Sequence, residues 1–179
     1  KAVNNADRLN ELTENMLTAM QIENDNYNYG REVFSITDMM DNLVDSYQMR
    51  AEVTAEIEDN VEIIGDRFIL RISMNNLLEN AIKYGNDLPI EVQLHTKNNK
   101  AIITVKDQGI GIDESERKKI FRKFYRVEDE EVRDTKGTGL GLFIVKETIE
   151  KHGGAIRIKS NEPQGTIFII ELPLSTKNE

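Results

Sequence analysis

The sequence predicts an α+β fold, and three patterns in its 179 residues carry that reading. Apolar residues recur at helical spacing in four segments, and apolar and polar residues alternate at the period of a strand in five others. A long connection, 108–141, has neither pattern; it carries two Gly-rich turns and a charged run, which in a compact domain marks a functional lid more often than filler.

The elements follow in order. Leu9, Leu12, Met16 and Ala19 form a narrow apolar stripe on an otherwise polar helix, which suits a bundle or coiled-coil seam better than a core face. This helix is expected over 1–24, entering without an N-cap as the end of a longer one, and the polar, Asn-rich run 25–32 follows as a linker. Ser35 and Asp38 signal a helix start, and Met40, Leu43, Val44 and Tyr47 place that helix over 36–50. Val53, Ala55 and Ile57 alternate with Thr54 and Glu56 as one face of a strand.

A third helix begins near Asp66, with Leu70, Met74, Leu77, Leu78, Ala81 and Ile82 as its buried stripe until Gly85 ends it. Asn86, Asp87 and Pro89 turn the chain into two strands, 90–96 and 101–107, joined as a hairpin. Ile144, Val145, Thr148 and Ile149 mark a last helix over 142–152, closed by Gly153 and Gly154. Strands at 155–160 and 165–172 complete a domain expected over 33–174, with a lid at about 112–137 and a frayed tail at 175–179.

Composition excludes several functions. With 23 Lys and Arg against 32 Asp and Glu the formal charge is −9, so a nucleic-acid partner is not expected. Cys is absent, which removes disulfides, thiolate nucleophiles and Cys-based zinc sites. The two histidines, His95 and His152, have no metal-ligand spacing. No apolar run reaches the length of a membrane span, and the first residues are polar rather than signal-like.

Three segments carry chemistry. Asn76, Asn80 and Lys83 lie at i, i+4 and i+7 on the third helix, opposite its leucines; amide oxygens can ligate a hard cation and the lysine can meet phosphate. By itself the triplet is more often a solvated polar face. Asp107-Gln108-Gly109-Ile110-Gly111 ends a strand, and a carboxylate there is an acceptor suited to the exocyclic amine of an adenine, while glycines let the backbone approach a ligand. Gly137-Thr138-Gly139-Leu140-Gly141-Leu142 opens into a helix, where free N–H groups can cradle phosphate. It is neither a Walker A loop nor a dinucleotide fingerprint.

In this order, Asn76-Leu-Leu-Glu-Asn80-Ala-Ile-Lys83-Tyr84, Asp107-Gln-Gly-Ile-Gly111, Phe121-Arg-Lys-Phe124-Tyr125-Arg126-Val127 and Gly137-Thr-Gly-Leu-Gly-Leu142 resemble the N, G1, F and G2 boxes of sensor histidine kinases. The resemblance runs from about residue 35 to 172. It implies the Bergerat-type ATP-binding fold shared with gyrase and heat-shock chaperones, a two-layer α+β sandwich whose mixed sheet is covered on one face by helices, here preceded by part of an α-helical hairpin. It implies Asn80 as the Mg²⁺ ligand supported by Asn76, Lys83 on phosphate, Tyr84 lining the pocket and Asp107 on the adenine amine. Gly109 and Gly111 would floor the purine site. Arg126 would reach the γ-phosphate from a lid anchored by Phe121 and Phe124, and Gly137, Thr138, Gly139, Leu140 and Gly141 would wrap the phosphates.

The implied activity is transfer of the γ-phosphoryl of Mg-ATP to a histidine on the hairpin, for relay to a response regulator, in a homodimeric and membrane-associated parent whose catalytic end is cytoplasmic. Asp7-Arg8-Leu9-x-x-Leu12 is similar to the second hairpin helix of that family. One departure is plain: neither His95, followed by Thr96, nor His152, followed by Gly153, has the sequence context of the family's phosphoacceptor, so both are read as structural and the acceptor is expected upstream. A serine kinase or ATPase of the same fold, or a nucleotide-free scaffold, are the competing readings.

Overall fold

A computed structural model of the chain describes the backbone of residues 2–24, 30–127 and 137–175, with side chains from residue 13 onward. Leu9, Leu12 and the Asp7-Arg8 motif lie outside the described side chains, and the charged run 128–136 and most of the tail lie outside the described residues.

The elements are α1 (Ala2–Glu23), β1 (Glu32–Ser35), α2 (Ile36–Gln48), β2 (Val53–Ile57), β3 (Glu62–Gly65), α3 (Arg67–Tyr84), β4 (Ile90–Lys97), β5 (Lys100–Lys106), α4 (Gly141–Lys151), β6 (Ala155–Ser160) and β7 (Thr166–Pro173). Five strands form one sheet in the order β2-β4-β5-β7-β6. The β2–β4 pair is parallel and the other pairs are antiparallel, so the sheet is mixed as expected. Asn98 and Asn99, both at positive φ, close the β4–β5 hairpin, a backbone conformation that asparagine tolerates better than most residues.

One sheet face is dry. Val92, Leu94, Ile103, Val105, Phe168 and Ile170 are buried against Leu43 of α2, Leu70, Met74, Leu77 and Leu78 of α3, and Val145 and Ile149 of α4. Each such side chain contributes about 1.5–3 kcal/mol by leaving water. Residues of alternate register face solvent, where Lys106 pairs with Glu91 at 2.8 Å.

Two local devices fix where α3 starts. Asp66 caps the helix, its Oδ1 accepting from the N–H groups of Phe68 and Ile69 at 3.0 and 3.2 Å. Its own N–H donates to His152 Nε2 at 2.9 Å, while His152 Nδ1 faces the Thr148 carbonyl at 2.6 Å, so the ring is neutral with its proton on Nδ1. Burial pushes the imidazole pKa down, which keeps that tautomer uncharged.

Several expectations need correction. The run 25–32 is not wholly linker, because Glu32 begins β1, which pairs with β3 in a separate two-stranded ribbon. The strand 53–57 stands where the alternation put it, as edge strand β2, whose Val53 is buried while Ala55 on the same face is exposed. Ile82 is only partly buried and lines a cavity. Among the described side chains of α1 the buried ones are Thr18, Ala19 and Ile22, the last two packed with Ile69, Leu140 and Ile144, while Met16 is 51% exposed. The helix thus sets a short stripe on the domain and leaves Met16, Leu17 and Met20 exposed.

Candidate functional site

A cavity of about 780 Å³ opens between α3, the end of β5, the start of α4 and the 160–166 turn. The apolar side of α3 is committed to the core, so Asn76, Asn80 and Lys83 emerge on the opposite face and line this cavity, as does Tyr84. Lys83 Nζ lies 4.7 Å from the Tyr84 ring centroid. Glu79, beside Asn80, is already engaged: Arg50 donates to its two oxygens at 2.6 and 3.2 Å and Tyr47 Oη donates at 2.8 Å. Burial opposes its charge, but these bonds outweigh it and hold the carboxyl below the ordinary glutamate range.

At one end sits Asp107, 5% exposed. Its Oδ1 accepts from the N–H groups of Gly109 and Thr166 at 2.9 and 3.1 Å. Among the described residues Oδ2 has no donor, which leaves it as the oxygen open to a ligand. Burial pushes the carboxyl pKa up, partly countered by those two backbone donors. Asn161, also buried, donates from Nδ2 to the Asp107 carbonyl at 2.8 Å, and a Cβ on Gly165 would lie 2.2 Å from that same oxygen. No local pattern marks Asn161 or Gly165 as part of a site; the only sequence signal nearby is the Pro163-Gln164-Gly165 turn between two strands.

At the other end lies the second Gly-rich turn. The N-cap position of α4, Leu140, has no side-chain cap, so the first N–H groups of the helix remain available. Thr138 Oγ1 accepts from Leu140 N–H at 3.2 Å, tightening the turn. Gly139, at φ +70°, passes so close to the lid segment that a Cβ would meet the Phe124 carbonyl carbon at 2.7 Å, and its carbonyl accepts from Phe124 N–H at 2.9 Å. A Cβ on Gly141 would lie 2.9 Å from Asn76 Oδ1, so glycine there lets the amide sit over the start of α4.

The cavity brings together Asn76, Asn80, Lys83, Tyr84, Asp107 and Gly111 with Arg126, Gly137, Thr138, Gly139 and Gly141. Three of the expected residues do not line it. Gly109 is packed beneath the Tyr84 carbonyl, where a Cβ would come within 1.8 Å of the oxygen, so its role is to let two chain segments touch. Leu140 is fully buried in the small cluster under α1. Phe124 is 59% exposed, because its φ of 61° and its bond to Gly139 turn the side chain outward. Phe121 is partly buried against the main core and Ile120 is the buried residue of this patch, so Ile120 and Phe121 rather than Phe124 hold the segment expected as a lid to the domain.

Residues 65–176 match the family model of histidine kinase-, DNA gyrase B- and HSP90-like ATPases, and the chain belongs to that family. Within it the similar proteins are sensor histidine kinases. Sensor histidine kinase WalK of Bacillus subtilis is 32% identical over 98% of this chain and 30% of its own length. Sensor protein RprX of Bacteroides fragilis is 36% identical over 76% of this chain and 28% of its own. The chain therefore spans less than a third of these curated relatives. Among solved structures, the mycobacterial sensor histidine kinase MprB superposes with a TM-score of 0.71 at 31% identity, over 80% of this chain and 97% of that one. Full-length ShkA in complex with AMPPNP gives 0.81 at 22% identity, over 97% of this chain and 37% of that one, a likeness of fold. Among the described residues no helix is long and apolar enough to cross a membrane.

Proposed function

We propose that the chain is the ATP-binding catalytic domain of a two-component sensor histidine kinase, transferring the γ-phosphoryl of Mg-ATP to a histidine on a helical hairpin of the same parent for relay to a response-regulator aspartate. The observation that carries this reading is one cavity lined at one end by the carboxylate of the buried Asp107 and at the other by a glycine turn on an uncapped helix start. Asp107 Oδ2 accepts from the adenine amine, with Tyr84 and Gly111 beside the purine. The N–H groups of the 137–142 turn donate to phosphate oxygens, and Lys83 and Arg126 neutralise their charge.

The donor set also fits a hard cation. Asn80, on the cavity side of α3, offers an amide oxygen that would hold Mg²⁺ brought in with the nucleotide. Bound there, the ion supplies charge neutralisation for phosphoryl transfer. Asn76 is an amide with no useful basicity, and Glu79 is tied to Arg50 and Tyr47, so neither activates a water and ATP stays intact until an imidazole reaches it. In the parent the hairpin makes a homodimer, and this domain is its cytoplasmic portion. Calorimetric titration of ATP with and without Mg²⁺ tests the reading: binding tightened by the ion is expected, and no binding in either buffer would refute it.

A further inference from the structure

The first helix carries a side chain to the cavity. Asn15, Ala19 and Ile22 follow at spacings of four and three, so they share one stripe of α1. Ala19 and Ile22 are buried against Ile69, Leu140 and Ile144, which seats the stripe on the first turns of α3 and α4. Asn15 lies one turn back along the same stripe, and it lines the cavity together with Asn76, Thr138 and Gly141. The C-terminal end of α1 is tied to the lid segment, where Lys123 Nζ reaches Glu23 Oε2 at 2.5 Å and stands 5.7 Å from the Phe143 ring centroid.

We propose, building on the ATP reading above, that Asn15 is a nucleotide-binding residue which α1 supplies to the phosphate end of the site, so that nucleotide affinity and the docking of α1 are linked. An amide suits the position. Its Nδ2 donates to a phosphate oxygen without adding a third cation beside Lys83 and Arg126, and without the repulsion a carboxylate would bring. Ala19, one turn on along the same stripe, packs against Leu140 and Ile144 where the Gly-rich turn enters α4, the end of the site that meets phosphate, which is why the partner is phosphate rather than base. A nucleotide that touches α1 binds the docked arrangement more tightly, and docked α1 raises nucleotide affinity by the same factor.

The test is calorimetric titration of Mg-ATP into the Asn15→Ala chain, with hydrogen exchange of residues 13–24 followed in the same samples. Alanine is the better helix former, so the substitution does not unwind α1. Affinity is expected to fall about tenfold, the loss of one hydrogen bond to a charged group. Mg-ATP should slow exchange over 13–24 in the unmodified chain and do so much less in the variant, while the unliganded melting temperatures match. Equal affinity of the two chains for Mg-ATP overturns the Asn15 assignment and leaves the ATP reading standing. Failure of the unmodified chain to bind Mg-ATP overturns both.

Discussion

Asp107 shows how a single residue trades stability for recognition. Its Oδ1 is satisfied by two backbone donors while Oδ2 faces the cavity, and burial raises its pKa. A raised carboxyl pKa means that the folded chain holds the proton more tightly than the unfolded one. Folding is then favoured below the ordinary aspartate range, and that advantage is lost as the pH rises through the raised value. At neutral pH the buried charge is a net cost that a neutral amide of the same shape relieves. Asp107→Asn should therefore melt about 2–4 °C higher than the unmodified chain near pH 7, and the gain should vanish in acid. The same variant turns an amide donor toward the adenine amine, so ATP affinity should fall about tenfold or more. A variant that binds ATP normally would remove Asp107 from the adenine role. The Asp-x-Gly-x-Gly motif made this carboxylate legible in the sequence. Its supporting Asn161 was not, because a buried amide that braces a carbonyl across 54 residues leaves no local pattern.

At the scale of elements, the long amphipathic pieces were readable and the short ones were not. The stripe of α3, its Asp66 cap, the α2 start at Ser35 and the β4–β5 hairpin stand where the periodicity put them, because each buries one whole face or uses a turn chemistry with a local signature. The strands β1 and β3 have four residues each and form a ribbon of their own, joined to the chain beyond β7 by a single bridge from Ile63 to Leu174, too short for an alternation to show. The Gly-rich turn before α4 was legible as a turn, but its attachment to the lid segment was not. Gly139 sits at φ +70° with no room for a Cβ against the Phe124 backbone. In Gly139→Ala the left-handed backbone costs about 1 kcal/mol and the clash with Phe124 forces the two segments apart. The sheet and its core are remote from this turn, so the variant should keep its far-ultraviolet circular dichroism while nucleotide affinity drops by about tenfold or more. Undiminished affinity would show that the glycine turn and the Phe124 segment need not stay joined for binding.

Over the whole molecule, the mixed sheet with helices on one face places everything the cavity needs on the helical side, and it places both histidines away from it. His95 follows Leu94 on β4; Leu94 points into the core, so His95 emerges on the solvent face, and it is exposed. His152 ends α4 with both ring nitrogens engaged, one by the Asp66 N–H and one at the Thr148 carbonyl. Neither lines the cavity. A phosphoryl group poised over Asn80 and Lys83 therefore has no imidazole of this domain within reach, and direct transfer needs the attacking atom about 3–3.5 Å away in line. The sequence allowed the same conclusion from the residues that follow each histidine, but the reason is geometric: one ring is on the wrong side of the sheet and the other is part of the joint between α3 and α4. Incubated alone with radiolabelled Mg-ATP, the chain should take up no acid-labile label. Adding a separately produced hairpin domain from the same parent should place label on that partner, slowly, since the tether that raises its effective concentration is missing. His152→Asn should leave that transfer detectable but lower the melting temperature, because the amide keeps only part of the bonding that holds α3 in place. Acid-labile phosphate recovered on His95 or His152 would contradict the proposed division of labour between this domain and a hairpin of its parent.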